Sequence, residues 1–192
     1  LDPQHSVSVN VRAIAANRRL GTIASAKRIS GFLATPNLSR ALRVEALYAL
    51  QSWPQASTLD PIDGRYFPIP AGDLDTLSAA IGPEIWSLAN DADDKVSRRA
   101  ISVLQSIKPS KAQRDQVAGF VLDEGQRSTV RKAWLRWLRK QDLALFTSVG
   151  VKALYSKSPE LRVVAAQELT EAKQGRSAVN SYLLATLKNS GD

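Results

Sequence analysis

The chain of 192 residues contains no cysteine and no methionine, and it has a single histidine, His5. Without cysteine, disulfide bonds are excluded, and a transition-metal site would have to rely on carboxylates alone. A serine nucleophile would lack a histidine base nearby, because His5 lies close to the N-terminus. Since a chain that starts at Leu1 and has no methionine cannot be an unprocessed translation product, we expect a piece of a larger protein.

Other sequence signals are missing as well. No run of about 18 apolar residues occurs, so we expect no membrane-spanning helix. The sequence has no glycine-rich dinucleotide loop, phosphate-binding loop or Gly-x-Ser-x-Gly motif. No segment alternates apolar and polar residues for long, so we expect almost no β-sheet. These absences predict a chain that is not an enzyme and that binds no cofactor.

What the sequence does have is a recurring helical pattern: an aliphatic residue, an apolar residue four positions later and a leucine eight positions later. The four copies are Leu42/Ala46/Leu50, Val96/Ala100/Leu104, Val130/Trp134/Leu138 and Leu161/Ala165/Leu169. A weaker copy opens at Val11/Ala15. This spacing puts all three residues on one face of a helix, and a return after about 31 to 34 residues is typical of stacked repeats. We predict an all-α fold, a right-handed α-α superhelix of four to five helical hairpins, over a single domain, 1–192.

An arginine recurs beside the first aliphatic residue of the pattern. It occupies positions Arg12, Arg43, Arg131 and Arg162, and in the remaining copy Arg98 stands one place later. We expect these arginines to be structural, each guanidinium reaching a helix-end carbonyl or an acid such as Asp94 or Asp142. In this order of aliphatic, Arg, Ala and Leu residues the chain resembles the HEAT repeat family over nearly its whole length. The resemblance implies a solenoid that scaffolds or binds other proteins.

One interval is 54 residues long and breaks the period. The extra residues, 54–73, hold four prolines and an Asp63-Gly64 pair, so we predict an inserted loop between repeats. We expect Tyr66, Phe67 and Ile69 to fold back over an apolar seam of the protein. The alternative is an interaction surface that includes Arg65, Tyr66 and Phe67.

A second resemblance covers part of this interval. The run from Arg43 to Pro70, RVEALYALQSWPQASTLDPIDGRYFPIP, resembles the HEAT-type region of the large bacterial membrane-bound dehydrogenases of the sorbosone dehydrogenase-like type. Such proteins typically carry a quinoprotein-like β-propeller before the helical repeats and a c-type cytochrome module after them. The resemblance therefore implies a multidomain redox parent and a periplasmic or other extracytoplasmic location. It implies protein partners or neighbouring domains of the same chain, without making these residues redox-active.

Helix starts and one acidic cluster also carry expectations. Asp94, Thr129 and Ser158 with Pro159 are predicted as caps or first-turn residues of the helices that hold the repeats. The cluster Asp91, Asp93 and Asp94 lacks the later ligands of a calcium loop. We interpret it as a loop whose last aspartate, Asp94, caps the next helix.

The positive charge is unevenly distributed. The net charge is +8, and residues 127–140 contain six basic and no acidic residues, whereas 54–126 contain seven basic and eleven acidic residues. Within this segment Lys132, Arg136, Arg139 and Lys140 share one helix face, opposite two tryptophans that we expect in the core. The alternative function is thus nucleic-acid or other polyanion binding, as in HEAT-like DNA glycosylases, with Arg43 and Arg98 contributing. The corresponding positions of the other repeats are not basic, which favours a protein partner.

Overall fold

Residues 1–60, 62–173 and 175–189 are described by a computed structural model of the chain. The described part is mostly helical and holds one small two-stranded sheet, so the all-α prediction is confirmed. The chain divides into two compact units, Leu1–Lys108 and Pro109–Asp192. A single domain over 1–192 stays a prediction, and the two units are described in turn.

The first unit contains six helices and two strands in its described residues. Their bounds are α1 Val7–Leu20, α2 Ile23–Leu33, α3 Arg40–Gln51, β1 Ser57–Leu59, β2 Tyr66–Ile69, α4 Leu74–Ala80, α5 Pro83–Leu88 and α6 Asp94–Leu104. Helices α3 and α6 hold the first two copies of the repeat pattern, and all six of those apolar residues are buried. Helix α3 packs against both α1 and α6, while α2 packs against α1, α3, α4 and α5. The sequence pattern therefore identified the helix faces that form this core.

The predicted insertion, 54–73, contains no helix among its described residues, but it is not entirely irregular. Strands β1 and β2 pair antiparallel, with Leu59 opposite Tyr66. Pro61 lies outside the described residues. The connection between the strands closes where Asp60 donates its backbone N–H to the carbonyl of Arg65 (2.8 Å) and Gly64 takes a positive φ of 69°. We call residues 57–69 the insertion hairpin.

The insertion returns to the helices at Gly72. This residue donates its backbone N–H to the carbonyl of Trp53 (2.7 Å), directly after α3. A Cβ at this position would lie 2.8 Å from that carbonyl oxygen and would also collide with the indole ring. Glycine is therefore required here by the close approach of the two backbones.

The second unit contains helices and no strand among its described residues. Its elements are α7 Lys111–Leu122, α8 Ser128–Gln141, α9 Leu143–Ala153, α10 Pro159–Glu171 and α11 Arg176–Asn189. The other two copies of the pattern lie on α8 and α10, with all six apolar residues buried, and α8 contacts α7, α9 and α10. Trp134 and Trp137 are fully buried and meet edge to face at 5.5 Å between ring centroids, as expected of core residues.

The three predicted cap or first-turn positions are correct, but the assignment of Asp94 as the cap of α6 is wrong. Ser158 caps α10 by accepting from the backbone N–H of Leu161, and Thr129 lies in the first turn of α8. Helix α6 is capped by Asp93, whose carboxylate accepts from the N–H groups of Lys95 and Val96, and not by Asp94. Asp94 lies one position inside the helix, where its charge still favours the positive helix N-terminus.

The repeated arginines differ in their contacts. Arg43 pairs with Asp91, and Arg162 donates to the carbonyl of Ser156 (2.9 Å). Arg131 is 2% exposed, donates through Nε to the carbonyl of Val121 (2.8 Å) and pairs with Glu124. A structural role is thus confirmed for these three.

Two details of the arginine prediction are wrong. Arg98 donates to the carbonyl of Asp94 within its own helix (3.1 Å), and Arg12 is exposed on α1. The acids that pair with the repeated arginines are Asp91 and Glu124, whereas Asp142 pairs with Arg114 (3.2 Å). Sequence position alone did not distinguish acids that lie at neighbouring helix ends.

None of the helices, over the residues that the structure describes, is both long enough and apolar enough to cross a bilayer. This agrees with the sequence, in which no long apolar run occurs.

Candidate functional site

The basic face predicted on α8 exists, but acidic side chains lie against it. Arg136 pairs with Glu168 (2.8 Å), and Arg139 pairs with both Glu168 and Glu171 (2.6 Å each). Both glutamates belong to α10, the neighbouring repeat helix. The hydrogen bonds that Arg139 donates to the carboxylates of Glu171 and Glu168 raise the pKa of Arg139, so this cation is held in its charged form by protein acids.

The other two cations of this face are lysines. Lys132 is half-buried, and its charge contributes to lowering the pKa of Glu160, whose main stabilising contact is a hydrogen bond from Ser158. Lys140 is exposed at the end of α8. The structure therefore brings together the four predicted cations on one face and supplies carboxylates that offset much of their charge.

The other predicted surface, on the insertion hairpin, projects apolar side chains into solvent. Tyr66 is 76% exposed and is the most exposed large apolar side chain in the described residues, and its cross-strand neighbour Leu59 is 52% exposed. Residues that pair directly across two strands lie on the same face, so Tyr66 and Leu59 form one apolar surface. We predicted that Tyr66, Phe67 and Ile69 fold back over the protein. Ile69 is buried as predicted, Phe67 is only partly covered, and Tyr66 does not fold back.

The opposite face of the insertion hairpin is attached to α1. Arg19 pairs with the buried carboxylate of Asp60 (2.6 Å), and its guanidinium lies 5.3 Å from the centroid of the Phe67 ring. A cation over an aromatic face is attracted by the ring's negative face. Arg65, at the tip, is highly exposed and lies 3.8 Å from Asp63. The hairpin is thus anchored on one side, and its Tyr66 and Leu59 face is left in solvent.

A cleft of about 160 Å³ lies at the base of the insertion hairpin. Helix α1 contributes Ile14, Ala15 and Arg18, helix α3 contributes Glu45, Tyr48 and Ala49, and the remaining wall is formed by residues 52, 55–57 and 69. We call this cavity the hairpin cleft. Its lining is about equally polar and apolar, and it contains one cation, Arg18, and one acid, Glu45.

Arg18 is the cation of the hairpin cleft, and its environment is unusual. Its side chain is almost completely buried, with 5% of the residue exposed, and burial lowers its pKa. Nη2 donates to the carbonyls of Ser52 (2.9 Å) and Gln55 (2.6 Å), and the guanidinium lies 5.4 Å from the centroid of the Trp53 ring. Nη1 is buried and has no hydrogen-bond partner.

Arg18 was not singled out by the sequence. It lies outside the recurring arginine positions, and its contacts are with backbone carbonyls 34 and 37 residues away. The only available signal was its place, seven residues after Val11, on the apolar face of a helix. A charged residue on that face requires a partner in the fold.

Among the described residues, no group of three or more histidine, cysteine, aspartate or glutamate side chains is arranged to hold a metal ion. The chain matches no protein-family model, no curated protein and no solved structure.

Proposed function

We propose that this chain is a HEAT-like α-α solenoid that acts as a non-catalytic scaffold and binds an extended, acidic segment of a partner protein through the insertion hairpin. The fold part of the proposal rests on the side-by-side packing of helices that carry the repeat pattern. Helix α3 contacts α1 and α6, and α8 contacts α10. Arginines from α8 and α10 also bind the segment just before their own helix: Arg131 binds Val121 at the end of α7 and Glu124 in the turn that follows, and Arg162 binds Ser156. Such contacts are typical of a repeated unit.

The observation that carries the binding proposal is the exposure of Tyr66 and Leu59 on an anchored hairpin. Exposed apolar surface on an ordered element is costly in water and typically marks an interaction site. The cation that favours an acidic partner is Arg65 at the hairpin tip, whose side chain is highly exposed and lies 3.8 Å from Asp63, whereas Arg19 is already paired with Asp60. An extended segment suits such a surface because it reaches both the hairpin face and the cleft.

The resemblance to the repeat region of sorbosone dehydrogenase-like proteins supports a multidomain parent of this solenoid. Within it, the solenoid would bring a partner protein close to redox domains. The proposal does not use the basic face of α8, because Glu168 and Glu171 already pair with its arginines.

Selection from a random peptide library displayed on phage tests the proposal. The wild-type chain is the bait, and a Tyr66→Ser, Leu59→Ser variant is the counter-bait. We expect enriched peptides that bind the wild type and lose at least tenfold in affinity for the variant. The matched control is Tyr155→Ser, which removes another exposed aromatic residue (69% exposed) from the second unit and is expected to bind like wild type. No enrichment, or equal binding to the hairpin variant, would overturn the proposal.

A further inference from the structure

We infer that a depression on helix α6 is a binding site for a phosphate group. It is lined by Lys95, Arg98, Arg99 and Ser102 and has a volume of about 240 Å³. We call it the α6 depression. None of these four residues belongs to the insertion hairpin or lines the hairpin cleft, so phosphate binding here goes beyond the proposed function and does not depend on it.

The lining residues share one side of α6. Positions 95, 98, 99 and 102 follow the three- and four-residue spacings that make side chains neighbours on a helix surface. Lys95 and Arg98 are exposed, and Arg99 and Ser102 are partly exposed. Three positive charges are therefore within reach of one small ligand, and none of the acidic side chains that the structure describes lines the depression.

The fold supplies the three cations of the α6 depression with no carboxylate. Across the described residues, none of them forms an ion pair. Two aspartates that precede α6, Asp91 and Asp93, pair instead with arginines of α3. On α8, by contrast, the arginines of the basic face pair with Glu168 and Glu171. The α6 depression thus keeps the positive charge that is offset on α8.

Arg98 is oriented by one hydrogen bond and keeps its outer donors. Its Nε donates to the backbone carbonyl of Asp94 (3.1 Å), one turn earlier in the same helix. The terminal nitrogens Nη1 and Nη2 have no acceptor among the described residues, and the side chain is exposed. A guanidinium with both terminal nitrogens accessible can bind two oxygens of one ligand.

Arg99 is held in place by uncharged side chains of α3. Its Nη1 donates to Oε1 of Gln51, and its guanidinium lies 5.0 Å from the centroid of the Tyr48 ring. Neither contact brings a negative charge, so both position the guanidinium and leave its charge uncompensated. A cation that is already positioned loses less conformational freedom when it binds a ligand.

A phosphate monoester matches these groups in charge and geometry. Near neutral pH it carries almost two negative charges, and guanidinium groups bind its oxygens through paired N–H donors. Lys95 adds an ammonium group, which binds phosphate as a point charge. A single carboxylate carries one charge and two oxygens, so it would leave part of this donor set unused.

The confinement of the charge to α6 favours one phosphate group over a nucleic-acid backbone. The side chains of α3 that contact Arg99 are Tyr48 and Gln51, which are uncharged, and Arg40 already pairs with Asp93. A nucleic-acid backbone presents a row of phosphates and requires cations on several neighbouring helices. The observed arrangement provides cations for a single phosphate.

NMR titration of the isotope-labelled chain tests the site. The probes are inorganic phosphate and N-acetylphosphoserine N-methylamide, at constant ionic strength, and N-acetylserine N-methylamide is the neutral control. We expect saturable shifts of the amide signals of residues 95–102 and of the Arg98 and Arg99 guanidinium signals with both phosphate probes and none with the control. Tighter binding of the phosphoserine probe would assign the site to an esterified phosphate, and tighter binding of inorganic phosphate to the free ion.

Two substitutions test the residues. Arg98→Gln should weaken binding of the tighter phosphate probe about fivefold, because one exposed cation is lost from the site. Ser102→Glu places a carboxylate one turn after Arg98, inside the depression, and should weaken it at least as much. The matched control is Arg12→Gln, which removes an exposed arginine of α1 and should bind like wild type.

Three results would overturn the phosphate site. The first is the absence of saturable shifts at residues 95–102 with either phosphate probe. The second is wild-type affinity in both Arg98→Gln and Ser102→Glu. The third is a single-stranded DNA oligomer that binds more tightly than either probe and shifts signals well outside residues 95–102, since this would assign the cations to a nucleic-acid surface.

Discussion

Replacing Arg131 by alanine should destabilise the second unit strongly. The side chain is 2% exposed, and its Nε donates to the carbonyl of Val121 while Nη1 and Nη2 bind the two carboxylate oxygens of Glu124 at 2.8 and 3.0 Å. Truncation leaves the carbonyl without that donor and removes a buried stem from the core. Glu124 is 37% exposed, so the loss comes mainly from the carbonyl left without a donor and from the buried methylene groups of the stem. We expect the free energy of unfolding to fall by about 3 kcal/mol.

Urea unfolding followed by far-UV circular dichroism measures this loss, and hydrogen exchange read by mass spectrometry locates it. The reduced protection should be concentrated in α7 and α8. Arg98→Ala is the matched control, because Arg98 is exposed and bonds within its own helix, and it should change stability by no more than about 0.5 kcal/mol. A loss below about 1 kcal/mol for Arg131→Ala would refute a structural role for the repeated arginine.

Three further perturbations follow from the contacts. Hydrogen bonds from Arg131 and Ser156 lower the pKa of Glu124 to about 2 from 4.5, so the stabilisation that the ionised Glu124 provides is complete above pH 4.5 and is lost as the pH falls towards 2. The difference in free energy of unfolding between wild type and Glu124→Gln should therefore disappear over that range, and a constant difference would contradict this role of Glu124. Gly72→Ala should lower stability by about 1 to 3 kcal/mol in thermal unfolding because of its contact with the Trp53 backbone, whereas unchanged stability would refute the close approach. Glu168→Gln with Glu171→Gln should increase retention on heparin, with a steeper salt dependence than wild type; equal retention would show that these acids do not offset the basic face.

Local helix signals were predictable from the sequence because they depend on short spacings. The apolar residues at 0, +4 and +8 marked the buried faces of α3, α6, α8 and α10, and Ser158 with Pro159 marked the start of α10. The assignment of Asp94 as a cap was wrong by one position. Three aspartates occur within four residues, and the sequence does not show which of them has the extended backbone conformation of a cap. In the structure this residue is Asp93.

The insertion hairpin was predicted only as a loop. Its strands are three and four residues long, and Pro68 interrupts the second, so neither shows the alternation by which strands are identified. Exposure of Tyr66 was not predictable either. An aromatic side chain is normally expected in a core, and the pairing with Leu59 that turns it to solvent is a property of the fold.

The properties of both candidate sites depend on residues that are distant in sequence. Glu168 lies 32 residues after Arg136, so the neutralisation of the basic face requires the packing of α8 against α10. Arg18 is held by carbonyls at Ser52 and Gln55, and nothing in its local sequence indicates an unpaired buried cation. Long-range packing therefore determines which charged side chains are engaged by other parts of the protein.

An NMR titration of the isotope-labelled chain with a selected peptide tests the central proposal most directly. We predict that amide signals of residues 57–69 and of the hairpin-facing parts of α1 and α3 shift together as the peptide is added. Shifts confined to residues 132–140 would contradict the account, because they would place binding on the basic face of α8 and not on the insertion hairpin.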